Sequence, residues 1–187
     1  NTSEKAYLLL EDGSLFEGLS FGAKSSSYGE VVFNNSMTGY QEMLTDPSYS
    51  GQIVMPTYPL IGNYGINDGD SESSHIQVAG FVVREHCVFP NHGLSTKSIN
   101  DFLAEQEVVG ICQVDTRAIA RRLRTKGVMM GIISTEANSK EIAKQLADVP
   151  SYGQIDFVQR VSTADTYEWD KSGNSGTQSK GLILVTD

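Results

Sequence analysis

The chain has 187 residues, 39% of them hydrophobic, and a formal net charge of −9. This length is enough for one domain with an appendage. The acidic balance argues against a surface for nucleic acid or an anionic membrane, since both need clustered bases. No run approaches the roughly 20 apolar residues of a membrane span, and the start of the chain is too polar for a signal peptide. We therefore expect no contact with nucleic acid or membrane, and a cytoplasmic location.

The sequence opens with the pattern of a β-hairpin. Ala6–Leu10 and Leu15–Phe21 flank an Asp-Gly pair at residues 12 and 13, where a tight turn needs two positive φ angles. Further strands are predicted at Glu30–Asn34, Gln52–Thr57 and Ile76–Val83, the last one central and covered on both faces.

A short helix at Gly39–Leu44 is predicted between two of these strands. Pro47 blocks its extension, because the residue before a proline avoids the helical region. Gly39, Gly62 and Gly65 are predicted at positions that need a positive φ or a close backbone approach.

Strands and helices alternate in the second half of the chain. The predicted elements are a helix over Thr96–Gln106, a strand at Val108–Cys112, a helix from the N-cap Asp115 to Gly127, a strand at Val128–Ile133, and a helix from a capping box at Asn138–Glu141 to about Leu146. An antiparallel start followed by this alternation predicts an α/β fold with two mixed sheets and helices on one side.

Five bases cluster at helical spacing in an acidic chain. They are Arg117, Arg121, Arg122, Arg124 and Lys126. We predict a solvated helix face near a C-terminus, with contact to an acidic partner as the alternative.

The cysteines and histidines show no pattern of a metal site or a nucleophile. Cys87 and Cys112 lie in or beside apolar, strand-like runs and are predicted to be buried structural thiols. His75, His86 and His92 lack ligand spacing, so no metal site is expected.

A long connection joins the predicted strands on either side of Ser48. Two strands can be joined by about two to six turn residues, whereas this connection is much longer and rich in small polar residues. Long ordered loops are usually functional. By itself, the Thr45–Tyr49 sequence favours a type I turn that starts at Asp46-Pro47 and that Ser48 merely fills.

The residues of this region carry a specific resemblance. Gly29–Tyr49 and Thr57–Gly65, with Leu10–Gly13, Val114–Arg117 and Val161–Trp169, resemble the amino-terminal domain of the small, glutamine-using subunit of carbamoyl-phosphate synthetase. The resemblance implies a three-layer β/β/α swivelling domain followed by a class I glutamine amidotransferase domain. It also implies a parent enzyme that hydrolyses glutamine and passes ammonia to a large chain, which makes carbamoyl phosphate from bicarbonate and ATP.

The resemblance also implies a division of the chain and of its roles. Residues 1–161 would form the domain, 162–180 a Gly/Ser-rich flexible linker, and 181–187 the first strand of the amidotransferase domain. The nucleophilic cysteine of the family, in a Gly-x-Cys-x-Gly turn, has no counterpart here, so no catalytic residue, metal or cofactor is expected in this segment.

One site residue follows from the resemblance. Ser48 matches the serine that reaches across the domain boundary and hydrogen-bonds glutamine in the amidotransferase site. The implied partners are the large synthetase chain, the amidotransferase domain and glutamine. A free-standing swivelling or interaction module is the alternative.

Overall fold

The computed structural model describes residues 4–136 and 138–163. The chain divides into two units, Asn1–Ile155 and Asp156–Asp187. Nearly all of the predicted linker at 162–180, and the predicted strand at 181–187, lie outside the described residues. The proposed boundary at residue 161 stays a prediction.

Nine strands lie in the described part of the first unit. They are β1 (Lys5–Leu10), β2 (Leu15–Gly22), β3 (Ser27–Asn34), β4 (Gln52–Pro56), β5 (Leu60–Ile61), β6 (Gly80–Val82), β7 (Glu85–His86), β8 (Val109–Cys112) and β9 (Met129–Ser134). Seven strands form a closed barrel in the order β1-β2-β8-β6-β4-β3-β9, and β5 pairs with β7 in a separate small sheet.

Four α-helices accompany these strands, and a fifth lies in the second unit. They are α1 (Tyr40–Thr45), α2 (Ile99–Glu105), α3 (Thr116–Lys126), α4 (Ser139–Asp148) and, in the second unit, α5 (Phe157–Val161). Short 3-10 turns occupy Pro47–Tyr49 and Tyr152–Gln154. No helix in the described part of the chain combines the length and the apolarity needed to cross a membrane.

The pairing within the barrel divides it into two halves. Strands β3, β4, β6 and β8 run parallel to one another, whereas β1, β2 and β9 are joined to their neighbours in antiparallel fashion. The predicted hairpin is confirmed, with Leu9 opposite Leu15. Its turn differs from the predicted one, because only Gly13 of the Asp-Gly pair has a positive φ, of 83°. The α/β class is also confirmed. The three-layer arrangement is not confirmed by this pairing, which joins seven strands in one closed sheet.

The closed sheet separates the apolar core into an inside and an outside. One buried cluster takes side chains from the strands all around the barrel, including Leu8, Val31 and Ile53, and therefore fills its interior. Ile119 and Leu123 of α3 join this cluster. The apolar stripe of α3 therefore faces the barrel, and the bases of the helix lie on its other sides.

Helices cover the barrel on the outside with two further clusters. Helices α1 and α2 contribute Leu44 and Leu103 to a cluster that includes Phe81 of β6. On α4, Ile142 packs with Leu9 and Ile132 of two neighbouring strands.

The predicted strand at Ile76–Val83 is only partly correct. The strand is confined to Gly80–Val82, although Ile76 and Val78 are also buried. The Gln77 amide donates to the carbonyl of Leu44 at 2.9 Å, at the end of α1, and so is not used to extend the strand. The apolar run reflects burial and not a continuous β-ladder.

The predicted ends of α3 are confirmed. The Asp115 carboxylate accepts a hydrogen bond from the Ala118 amide at 2.9 Å, which satisfies a free donor of the first turn. Gly127 follows the last turn with φ of 91°, and its amide donates to the carbonyl of Leu123.

An ion-pair cluster ties the hairpin turn to α3. Arg122 Nη1 lies 2.7 Å and Lys126 Nζ 3.2 Å from Oδ2 of Asp12, whose side chain is only 12% exposed. Hydrogen bonds from Ser14, and then from Arg122 and Lys126, hold the pKa of Asp12 well below its usual range.

We predict that Asp12→Asn destabilises the fold in a pH-dependent way. Because the folded-state pKa of Asp12 is lowered, its contribution is present above the unfolded-state value of about 3.9 and is lost as pH falls below it. Both bases are substantially exposed, so the free energy of unfolding at neutral pH should fall by only about 1 kcal/mol. Denaturant titrations at neutral and acidic pH measure this difference, which should vanish in acid. Glu17→Gln, which breaks an exposed pair with Lys5, is the control and should change little at either pH; equal losses in the two variants would contradict the prediction.

Candidate functional site

Ser48 lies in the crossover that carries the chain from β3 to β4. It is the central residue of the Pro47–Tyr49 turn, directly after α1, and it is exposed. Within the part of the chain that the structure describes, its hydroxyl makes no hydrogen bond. The hydroxyl is therefore available to a ligand.

The backbone of Ser48 is fixed by the residues before it. The Asp46 carboxylate accepts a hydrogen bond from the Ser48 amide at 2.8 Å, and Pro47 occupies the first helical position. A proline there restricts φ and loses no needed donor. The turn predicted at Asp46-Pro47 is thus present. The hydrogen bonds that form this turn do not use the Ser48 side chain.

Tyr49 and Ser50 anchor the other side of the turn. The Asn34 side-chain amide donates to the Tyr49 hydroxyl at 2.8 Å, so the phenol is held at the end of β3. The Tyr152 hydroxyl donates to the carbonyl of Ser50 at 3.1 Å. These contacts tie the turn to two residues that lie 15 and 102 positions away from their partners in sequence.

Gln41 links α1 to the loop that follows β5. This side chain is fully buried, its Nε2 donates to the Asn67 carbonyl at 2.6 Å and to Ser71 Oγ at 2.9 Å, and its Oε1 accepts from the Asn67 amide at 2.9 Å. A buried amide that satisfies both its donor and its acceptor fixes the position of the helix.

A pair of tyrosines fixes the start of α1 against the same loop. The rings of Tyr40 and Tyr64 stack with centroids 4.2 Å apart. The Tyr40 hydroxyl donates to the Gly65 carbonyl at 2.6 Å, and the Tyr64 hydroxyl accepts from the Gly39 amide at 2.9 Å. Burial raises the pKa of both phenols, so both stay protonated at neutral pH.

The predicted glycine geometry is confirmed. Gly39, Gly62 and Gly65 have φ of 83°, 87° and 69°. A Cβ at Gly65 would lie 1.9 Å from Ser95 Oγ, so no larger residue fits beside this part of the site.

Within the described residues, neither Ser48 nor either cysteine has the surroundings of an activated nucleophile. No base is hydrogen-bonded to Ser48 among the described residues, and an unactivated serine is a weak nucleophile. Cys112 is buried, as predicted, and its burial raises the thiol pKa to about 11. Cys87 is half-buried, in contrast to its predicted burial, because it lies at the edge of the β5–β7 sheet; its thiol donates to the Phe89 carbonyl.

An open cleft near the barrel lies elsewhere on the first unit. A cleft of about 660 Å³ is lined by β1, β9 and α4, with Leu10, Met130 and Leu146 among its walls. Ser48 does not line this cleft. The Ser48 side chain is instead exposed on the surface.

Comparison with known proteins identifies the family. The model described as "Carbamoyl-phosphate synthase small chain, CPSase domain" matches residues 8–133. The carbamoyl phosphate synthase small chain of Aquifex aeolicus is 50% identical over 167 residues, covering 89% of this chain and 45% of the relative. That of Nitratidesulfovibrio vulgaris is 46% identical over 184 residues, covering 98% and 48%. The chain belongs to the family of carbamoyl-phosphate synthase small chains.

The chain spans about half the length of the small chains that it matches. Among solved structures, an aminopeptidase from Aneurinibacillus sp. strain AM-1 has a TM-score of 0.41 at 18% identity, covering 71% of this chain and 30% of that one. A likeness this weak carries no argument about fold or function.

Three residues that position Ser48 escaped the sequence analysis. Asn34 and Gln41 lie within the segment that carries the family resemblance, but no periodicity shows that a glutamine is buried or an asparagine aimed at a tyrosine. Tyr152 is remote in sequence, and no local signal connects it with Ser50.

We predict that Gln41→Ala destabilises the domain strongly. The change leaves the amide and the carbonyl of Asn67 without their buried partner, which should cost about 2–4 kcal/mol in the free energy of unfolding. The melting temperature should then fall by roughly 5–10 °C, measured by calorimetry. Gln52→Ala is the matched control, because Gln52 is half-buried and makes one side-chain bond, to Glu30 at 2.9 Å. Equal losses of stability in the two variants would contradict the prediction, because the buried network of Gln41 would then contribute no more than the single bond of Gln52.

Proposed function

We propose that this chain is the amino-terminal domain of the small subunit of a glutamine-dependent carbamoyl-phosphate synthetase, and that Ser48 contacts the glutamine substrate. One observation carries the proposal: an exposed hydroxyl, unpartnered in the described part of the chain, is mounted on a turn whose backbone is fixed on both sides. A residue used only to fill the turn would not need this support.

The chemistry of a serine suits this role. A hydroxyl both donates and accepts, so it can bind the carboxylate of an amino acid without adding charge to the site. Because Asp46 and Pro47 already fix the backbone, little conformational entropy is lost when the hydroxyl engages a ligand. The second wall of the pocket would come from the amidotransferase domain, which would supply the catalytic cysteine.

The rest of the proposal follows from family membership. In the parent enzyme, glutamine hydrolysis on the small chain would supply ammonia to the large chain, and the large chain would use bicarbonate and ATP to form carbamoyl phosphate. This domain would dock on the large chain and complete the glutamine pocket. It would work in the cytoplasm and itself hold no cofactor. We also propose the swivelling, three-layer architecture, and the packing of α1 and α2 together against one part of the outside of the barrel supports its helical layer.

A free-standing interaction module is the competing function. The observation that decides is the coding sequence that follows Asp187 in the gene. A Gly-x-Cys-x-Gly turn with a downstream His-x-Glu supports the synthetase proposal, and their absence there favours the free-standing module.

We predict that Ser48→Ala in the full small chain, assembled with its large chain, selectively impairs the use of glutamine. Loss of one hydrogen bond to a charged group, about 1.5–3 kcal/mol, should lower glutamine-dependent kcat/KM by about one to two decades. Synthesis from added ammonia should be unchanged, because ammonia enters after the glutamine pocket. Steady-state assays with each nitrogen donor measure both rates.

Ser36→Ala is the matched control for this experiment. Ser36 is an exposed serine in the same crossover, and its replacement should leave both activities and the melting temperature unchanged. If Ser48→Ala lowers activity with both donors in parallel, or lowers the melting temperature, Ser48 is structural and the turn interpretation replaces the proposal.

We predict that the 187-residue chain alone releases no ammonia from glutamine. Cys112 is buried with a raised thiol pKa, and within the described residues no base is hydrogen-bonded to Ser48. An enzyme-coupled ammonia assay on the purified chain tests this. Turnover that disappears in Cys87→Ser or Cys112→Ser would refute it.

A further inference from the structure

Helix α3 concentrates positive charge in an acidic protein. Its sequence from Thr116 to Lys126 contains five basic residues and no acidic one, whereas the whole chain carries a net charge of −9. A solvated helix of a stable domain usually mixes both signs, because pairs at i, i+4 stabilise it. The composition of α3 therefore needs an explanation.

The fold accounts for two of the five bases. Arg122 and Lys126 turn toward the hairpin and share the carboxylate of Asp12, at 2.7 and 3.2 Å. These two side chains attach α3 to the barrel, and Ile119 and Leu123 do the same through the core.

The other three bases form one outward face, which we call the arginine face. Arg117, Arg121 and Arg124 follow one another at i, i+4 and i+7, and all three are exposed. None of them contacts an acidic side chain within residues 4–136 and 138–163. Lys5, Lys24 and Lys97, in contrast, each form an ion pair on the same unit.

The arginine face opposes the stability of its own helix. Arg117 lies in the first turn, where the helix dipole disfavours a positive charge, and its i, i+4 neighbour Arg121 has the same sign. Only Arg124, in the last turn, is placed favourably for the dipole. Each of these unfavourable interactions destabilises the helix by a few tenths of a kcal/mol. Because the helix contains more than one of them, the arginines indicate a role outside the domain.

A fourth exposed arginine lies between β6 and β7, and its backbone contacts the segment before α3. Arg84 is exposed, and its carbonyl accepts a hydrogen bond from the amide of Gln113 at 2.8 Å, two residues before the N-cap Asp115. Gln113 has φ of 62°, an uncommon value for a residue with a side chain. The backbone of Arg84, two residues after β6, is thus joined to the segment that leads into α3.

We propose that the arginine face of α3 is a docking surface for an acidic patch of the large synthetase chain. This inference rests on the proposed function, because the partner is the one named there. Charge complementarity favours a protein partner. A nucleic acid or an anionic membrane is negative over a large area, so the net charge of −9 would repel it. A small acidic patch on a protein would face only the arginines. Arginine suits this role because its planar fork binds carboxylates in a bidentate manner.

The test uses the full small chain and the separately purified large chain. We compare Arg117→Glu/Arg121→Glu with Lys140→Glu/Lys144→Glu, a matched pair of exposed bases at i, i+4 on α4 that changes the net charge equally. Titration calorimetry at low and high salt measures the affinity. The arginine pair should weaken binding by about tenfold or more and reduce its salt dependence, and the α4 pair should have little effect.

The remaining arms separate the possible failures. Arg117→Lys/Arg121→Lys keeps the charge and should bind within a few fold of the wild type, and melting curves should show all variants folded. If the wild type binds and both reversal pairs bind equally well, the inference is overturned while docking stands. If the wild type does not bind the large chain, the docking part of the proposed function fails as well. A single-stranded RNA oligonucleotide is the last probe, and binding that depends on the arginines would assign the face to a polyanion and overturn the proposal.

Discussion

The parallel pairing of β3 with β4 is the constraint on which the candidate site depends. Five residue pairs, from Glu30–Gln52 to Asn34–Pro56, lie side by side in the same direction. Adjacent parallel strands cannot be joined by a tight turn and need a crossover of a dozen or more residues. The connection that carries Ser48 is this crossover, so its length follows from topology. The length of the connection therefore does not indicate a function here, and the exposed hydroxyl on a fixed backbone is the feature that does.

The same constraint applies to the next two strands, and the crossovers that it requires support one another. Strands β4, β6 and β8 are also parallel neighbours, so two more long crossovers follow the first. The first crossover is held by the second through Gln41 and the Asn67 backbone. The second is held by the third, where the amide of Ile66 donates to the carbonyl of Lys97 at 3.0 Å. The crossover that carries Ser48 is thereby tied to the two crossovers that follow it.

Local signals in the sequence predict the elements of this fold better than their arrangement. The Asp-Gly hairpin, the Asp115 cap and the glycines with positive φ each depend on chemistry within a few residues, and the structure confirms them. Barrel closure depends on β9 pairing with both β1 and β3, and no local pattern encodes such distant partners. The run at Ile76–Val83 shows the same limit, because burial by α1 and pairing with β4 leave the same apolar signature.

The site follows the same division. Asp46, Pro47 and Ser48 are adjacent, so their turn is readable from sequence, and the resemblance to a family adds a role for Ser48. The supports from Asn34, Gln41 and Tyr152 arise only when the crossovers meet, and a polar residue gives no advance sign that it will be buried with its partners satisfied.

Helix α3 shows how one element can serve the core and the surface separately. Its apolar stripe enters the barrel, a second side is attached to the hairpin through Asp12, and the third side remains charged and exposed. The first two attachments make the third side rigid, which lowers the entropy lost when a partner binds. They also explain why the helix tolerates repulsion among its arginines: tertiary packing, and not helical propensity, holds most helices of this length in place. A fold that depended on the intrinsic stability of α3 could not maintain such a face.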